Sequence, residues 1–135
     1  MEKIEHIGIA VTDLEAAEKT FTKLFGKEPY KQERVESEGV ITSFFQMGDS
    51  KIELLAATNP DSPIAKFIAK KGGGIHHIAF RVSDVQSELD RLQKEGFQLI
   101  HSVPKDGADG MEIAFLHPKS TESVLIELCT EKRSE

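Results

Sequence analysis

The 135-residue chain carries the same pattern twice, and this duplication limits its fold more than any other feature. The motif His-Ile-x-x-x-Val-[Thr/Ser]-Asp-[Leu/Val] runs through His6, Ile7, Val11, Thr12, Asp13 and Leu14. It returns at His77, Ile78, Val82, Ser83, Asp84 and Val85, an offset of 77 − 6 = 71. A second echo pairs Ile52-Glu53-Leu54 with Ile126-Glu127-Leu128 at 127 − 53 = 74, so the second copy holds 74 − 71 = 3 inserted residues. Self-similarity at a fixed offset marks a repeated structural unit, each copy of which needs a neighbour to cover its apolar face.

Within each copy the hydrophobic period changes in the same order. From Ile4 to Val11 the residues alternate, with His6, Gly8 and Ala10 on one face and Ile7, Ile9 and Val11 on the other, which is the period of a strand. Thr12 with Glu15, and Ser83 with Gln86, have the spacing of capping boxes and predict helix starts. Leu14, Ala17, Phe21, Leu24 and Phe25 then recur at helical spacing up to Gly26, as do Val85, Leu89 and Leu92 up to Gly96. Beyond each glycine come apolar runs of strand length at about 30–36, 40–48 and 50–56, and again at about 98–102, 111–117 and 123–129. Each copy is therefore expected to be a βαβββ module in an α+β fold. Module 1 spans about 4–56 and module 2 about 76–130, within a single domain of residues 1–135. The linker 57–75 contains Asn59-Pro60 and Pro63, a short helix suggested by Ile64, Phe67 and Ile68, and a Gly72-Gly73-Gly74 hinge. The polar tail from Glu131 to Glu135 is expected to fray.

Two residue types at equivalent places carry the chemical argument. Glu53 lies between Ile52 and Leu54, and Glu127 between Ile126 and Leu128, so both glutamates face away from the apolar layer. One histidine on a strand is more often a hydrogen-bonded structural residue than a ligand, but a His in the first strand and a Glu in the last recur together. If the modules pack with pseudo-twofold symmetry, His6, Glu53, His77 and Glu127 converge. Two imidazoles and two carboxylates balance a divalent charge and leave open positions in a six-coordinate shell, as catalysis requires. The donor set suits cobalt, nickel, manganese, iron or zinc; a closed structural zinc site would need thiolates, and Cys129 is the one cysteine. His76, His101 and His117 have no counterparts and are not first-choice ligands. His76 projects from the opposite strand face and is expected to pack or hydrogen-bond beneath the site. Glu36-Ser37-Glu38 reads as a solvated hairpin segment.

Charge narrows the partners. A net charge of −6 opposes association with nucleic acid, which needs uncompensated Lys and Arg. Met1 is followed at once by Glu2, Lys3 and Glu5, and no apolar run approaches the ~20 residues that cross a bilayer, so the expectation is a cytoplasmic protein without a membrane partner.

The segments His6-Ile-Gly-Ile-Ala-Val-x-Asp-Leu, Glu53-Leu-Leu with Asp61-Ser-Pro-Ile-Ala-Lys-Phe, Gly74-Ile-His-His-Ile-Ala-Phe, and Ala114-Phe-Leu-His-Pro-Lys-Ser with Val124-Leu-Ile-Glu-Leu resemble the vicinal oxygen chelate superfamily. Within it they are most similar to the methylmalonyl-CoA epimerase family, His117-Pro-Lys-Ser and Asp61-Ser-Pro being the narrower signals. The resemblance implies a curved, mostly antiparallel eight-stranded sheet around a metal site, with His6, Glu53, His77 and Glu127 as ligands. It also implies metal-dependent epimerisation of methylmalonyl-CoA by 1,1-proton transfer through an enolate. Glu127 would be the catalytic base, with Glu53 its counterpart, the cofactor one cobalt, zinc, manganese or nickel ion, and the assembly a homodimer. Lys105 and Lys119 are candidates to meet coenzyme A phosphates. Thr42 stands where some members carry an acid/base glutamate, and Thr121-Glu122-Ser123 where relatives are often glycine-rich. The alternatives are a glyoxalase-I-like lactoylglutathione lyase, a ring-cleaving dioxygenase, and a non-catalytic drug-binding module of the same fold.

Overall fold

The computed structural model describes residues 1–132 and has the α+β architecture expected, with eight strands, three α-helices and two short 3-10 turns. The order is β1 (Lys3–Ala10), α1 (Leu14–Phe25), β2 (Lys31–Val35), β3 (Val40–Met47), β4 (Ser50–Ala57), α2 (Pro63–Lys71), β5 (Gly74–Arg81), α3 (Val85–Lys94), β6 (Lys105–Asp106), β7 (Met111–Leu116) and β8 (Ile126–Glu131). Two compact units form: His6–His76, and Met1–Glu5 together with the chain from His77 onward.

In the first unit the strand order is β2-β3-β4-β1, with β2–β3 and β3–β4 antiparallel and β4–β1 parallel. The two faces of this sheet are told apart by what touches them. Glu18 of α1 accepts hydrogen bonds from Ser43 Oγ at 2.9 Å and Gln32 Nε2 at 2.6 Å, and Phe25 packs edge-on against Phe45 at 5.3 Å. Gln32, Ser43 and Phe45 therefore face α1, and alternation sends Lys31, Glu33, Thr42 and Phe44 to the other side. One end of that other face is closed by α2, whose Ile64, Phe67 and Ile68 pack with Ala10, Val40 and Leu55. Gly39 holds the junction: at φ +63°, an added Cβ would stand 2.6 Å from the Cβ of Ser62, the residue that caps α2.

The second unit repeats the plan. The start of β1 lies beside β5, joined by Glu2 N–H donating to Arg81 O at 2.8 Å, and the order continues β5-β8-β7-β6, with β5–β8 parallel and the rest antiparallel. Here α3 buries Val85, Leu89 and Leu92 against Ala114, Leu116 and Leu128.

Four local expectations are corrected. The helix caps are Asp13 and Asp84, one residue later than the Thr12/Glu15 and Ser83/Gln86 boxes; their carboxylates accept from Ala16 N and Ser87 N. A carboxylate also answers the positive end of the helix dipole, which a hydroxyl does not. No strand forms over 98–102, because His101 Nδ1 takes the Phe115 N–H that a neighbouring strand's carbonyl would have used, and the edge passes to β6. The last strand lies at Ile126–Glu131 rather than 123–129, since Glu122 and Ser123 adopt positive φ. Of the tail expected to fray, Glu131 belongs to that strand and Lys132 is held by Gly110 O and Asp106; residues 133–135 lie outside the described residues.

Candidate functional site

Each unit presents one buried histidine beside one buried glutamate. In the first, His6 Nδ1 lies 3.1 Å from Glu53 Oε2, with the side chains 6% and 8% exposed. In the second, His77 Nε2 lies 3.3 Å from Glu127 Oε1, with 6% and 5% exposed. The parallel pairing of β1 with β4 places Gly8 beside Glu53, and that of β5 with β8 places Ala79 beside Glu127. A small residue next to each glutamate leaves room for its carboxylate to turn toward the histidine two positions earlier.

The donor chemistry fits a divalent ion. Two ligands about 2.1 Å from one metal at a right angle are about 3 Å apart, so each 3.1–3.3 Å N···O pair has the dimension of one edge of a coordination shell. A carboxylate this deeply buried is costly unless a cation or several donors answer it. Each pair offers an imidazole nitrogen and carboxylate oxygens, donors that suit a divalent cation.

The repeat extends further than the motifs that announce it. Phe44 is the cross-strand partner of Glu53, and Phe115 that of Glu127, at 115 − 44 = 71. Phe115 meets His77 edge-on at 5.6 Å. Outside each phenylalanine sits another ring: Tyr30 at 5.7 Å from Phe44 and His101 at 5.9 Å from Phe115, again at 101 − 30 = 71. The backbone repeats as well, since Tyr30 N–H donates to Phe44 O and His101 N–H to Phe115 O. Sequence reasoning missed these rings, although the shared offset of 71 was available to find them. Lys51, the parallel partner of His6, is also buried at 9%.

The other histidines make local contacts. His76 packs edge-on against Phe67 of α2 at 5.0 Å. His117 caps the 3-10 turn Pro118–Ser120 by accepting from Lys119 N at 3.1 Å. Lys119 lies in that turn, and Lys105 opens β6.

With duplicated βαβββ units and a buried His–Glu pair in each, the chain belongs to the Glyoxalase/Bleomycin resistance protein/Dioxygenase superfamily, whose model matches residues 5–115. This is the vicinal oxygen chelate fold. Among its relatives, the Uncharacterized protein YqjC of Bacillus subtilis is 41% identical over 98% of this chain and 94% of that protein. The Ethylmalonyl-CoA/methylmalonyl-CoA epimerase of Cereibacter sphaeroides is 40% identical over 93% and 96%. A variant of Streptomyces coelicolor methylmalonyl-CoA epimerase, solved in complex with 2-nitronate-propionyl-CoA, superposes with a TM-score of 0.92 at 35% identity, covering 100% and 98% of the two chains.

Proposed function

We propose that this protein is an isomerase that epimerises methylmalonyl-CoA by a metal-dependent 1,1-proton transfer through an enolate. In this reading His6, Glu53, His77 and Glu127 together hold one divalent ion, cobalt, zinc, manganese or nickel. The observation that carries it is the buried imidazole–carboxylate pair made twice at equivalent positions. The names of relatives at 40% identity and below support the substrate class.

A divalent ion bound by these groups supplies Lewis acidity at the thioester oxygen, where charge grows as the enolate forms. The residues supply the rest. Glu127 takes the proton from the carbon between the two carbonyl groups, and Glu53 is its counterpart in the first module. The Phe115 ring meets the His77 imidazole edge-on and fixes its plane. Burial around both glutamates lowers the local dielectric, so that stabilisation of the developing charge counts for more than it would in water. The same reading expects a homodimer working in the cytoplasm; among the described residues no helix is long and apolar enough to cross a membrane.

The test is incubation of the metal-loaded protein with methylmalonyl-CoA in deuterated water. Deuterium appearing at C2 together with inversion is the expected result, lost on chelation and restored by added metal. No exchange, with turnover of methylglyoxal and glutathione instead, would replace this reading with the lactoylglutathione lyase.

A further inference from the structure

Inverting a carbon centre means handling a proton on both of its faces, and the groups described so far serve one of them. A second proton carrier belongs on the face of β2, β3 and β4 that bears His6 and Glu53. Register and alternation place Lys31, Glu33, Thr42, Phe44, Lys51 and Glu53 there, while Gln32, Ser43 and Phe45 turn toward α1. The acidic members of that set are Glu53 and Glu33. Thr42, the direct cross-strand partner of Glu33, has a hydroxyl too weakly acidic and basic for the task.

Glu33 is held in place. Lys31 Nζ lies 3.3 Å from its Oε1 and 5.2 Å from the centroid of the Phe44 ring, so one ammonium ties Glu33 to the phenylalanine that stands beside Glu53. The exposures of Glu127 and Glu33 differ in a useful direction: 5% and 34%. A metal-bound base benefits from exclusion of water, whereas a proton donor must be recharged from it. With strands about 4.8 Å apart, and with Lys31 rather than Glu33 in line with Glu53 across β3, the Cα atoms of Glu33 and Glu53 stand about 12 Å apart on one face of the sheet. The second module offers no equivalent, because position 33 + 71 = 104 is Pro104.

We infer that Glu33 is the second catalytic carboxyl group, serving the face of the substrate carbon that Glu127 does not. This rests on the epimerase reading above. In one direction the metal-site carboxylate accepts the C2 proton, and the C–H electron pair enters the enolate. The carboxyl group of Glu33 then delivers a proton to the opposite face and is left as the carboxylate. Exchange with water resets both groups, and the other epimer runs the same steps in reverse.

The experiment uses the metal-loaded full chain with each epimer of methylmalonyl-CoA separately in deuterated water, comparing wild type with Glu33→Gln and Glu33→Asp. In Glu33→Gln, inversion is expected to fall about 10²–10⁴-fold. One epimer should still acquire deuterium with retention, because the metal-site base still works, and Glu33→Asp should recover part of the inversion. Metal content and melting temperature should match wild type, as they must for a loss confined to proton delivery. Inversion by Glu33→Gln at the wild-type rate overturns the inference and leaves the epimerase reading standing, as does equal loss of exchange from both epimers. Absence of both exchange and inversion in wild type removes the epimerase reading, and this inference with it.

Discussion

Helices α1 and α3 occupy the same place in the two modules and are held in different ways. α3 buries Val85, Leu89 and Leu92 completely, against β7 and β8. α1 buries no residue fully and leaves Leu24 69% exposed, although Leu24 belongs to its apolar stripe. It is fastened instead by the Glu18 bonds to Ser43 and Gln32 and by the Phe21–Phe25–Phe45 ring chain. The His–Glu pairs behave oppositely: they match to within 0.2 Å in N···O distance (3.3 − 3.1 Å) and within a few per cent in exposure. Duplicated modules tolerate different solutions on the helix side, where any arrangement that covers the sheet suffices. On the site face the spacing of imidazole from carboxylate is kept, although Nδ1 of His6 and Nε2 of His77 make the two approaches.

The sharpest way to break this equivalence is to neutralise one glutamate at a time. Glu127→Gln is expected to lower the epimerisation rate about 10²–10⁴-fold, with no recovery when metal is added in excess. Glu53→Gln should lose activity chiefly through weaker metal binding and regain much of it at high metal concentration. Equal behaviour in a metal titration followed by activity would mean that the modules share the proton transfer.

The helix comparison is tested by truncation. Leu89→Ala should cost about 2–5 kcal/mol in denaturant unfolding, since the site is fully buried. Phe21→Ala, at a half-exposed position, should cost clearly less. Equal losses would show that α1 is as firmly packed as α3.

Smaller effects belong to the caps. Asp13→Ala and Asp84→Ala should each destabilise by about 1 kcal/mol, with Asp84→Ala the larger because its carboxylate also accepts from Ser87 Oγ.

The smallest expected effect concerns an ion pair without a counterpart in the first module, where Ala10 stands in place of Arg81 (81 − 71 = 10). The hydrogen bond and charge of Arg81 hold the Glu131 carboxyl below its usual range. A carboxylate lowered in the folded state stabilises the protein above its unfolded pKa, and that contribution disappears as pH falls through the folded value. Glu131→Gln should therefore flatten the stability profile on the acid side of the ordinary carboxylate range and leave its shape near neutrality unchanged. An unaltered acid limb would show that solvent screens the pair completely.

Much of this was legible without coordinates because it depends on local period and on repetition. The switch from alternation to helical spacing located β1, α1, β5 and α3, and the doubled His and Glu positions singled out the residues that form the buried pairs. Where expectation failed, the cause was a contact distant in sequence in one case and local backbone geometry in others. His101 ends a strand by capturing an amide fourteen residues away, which no window around residue 101 contains. Asp13 and Asp84 displaced the hydroxyls as caps because backbone direction, rather than residue preference, decides which side chain reaches the free amide.

The sequence by itself determined that the fold is made of two like units and which four side chains are chemically paired by position, since both follow from an offset that survives in one dimension. Tertiary structure alone decided which face of each strand is covered. That choice puts Glu33 on the face of Glu53 and turns Gln32 toward α1, and it sets Phe44 and Phe115 beside the two glutamates. The physical reason is that alternation labels two faces without naming them; only packing against a helix says which one is left for chemistry.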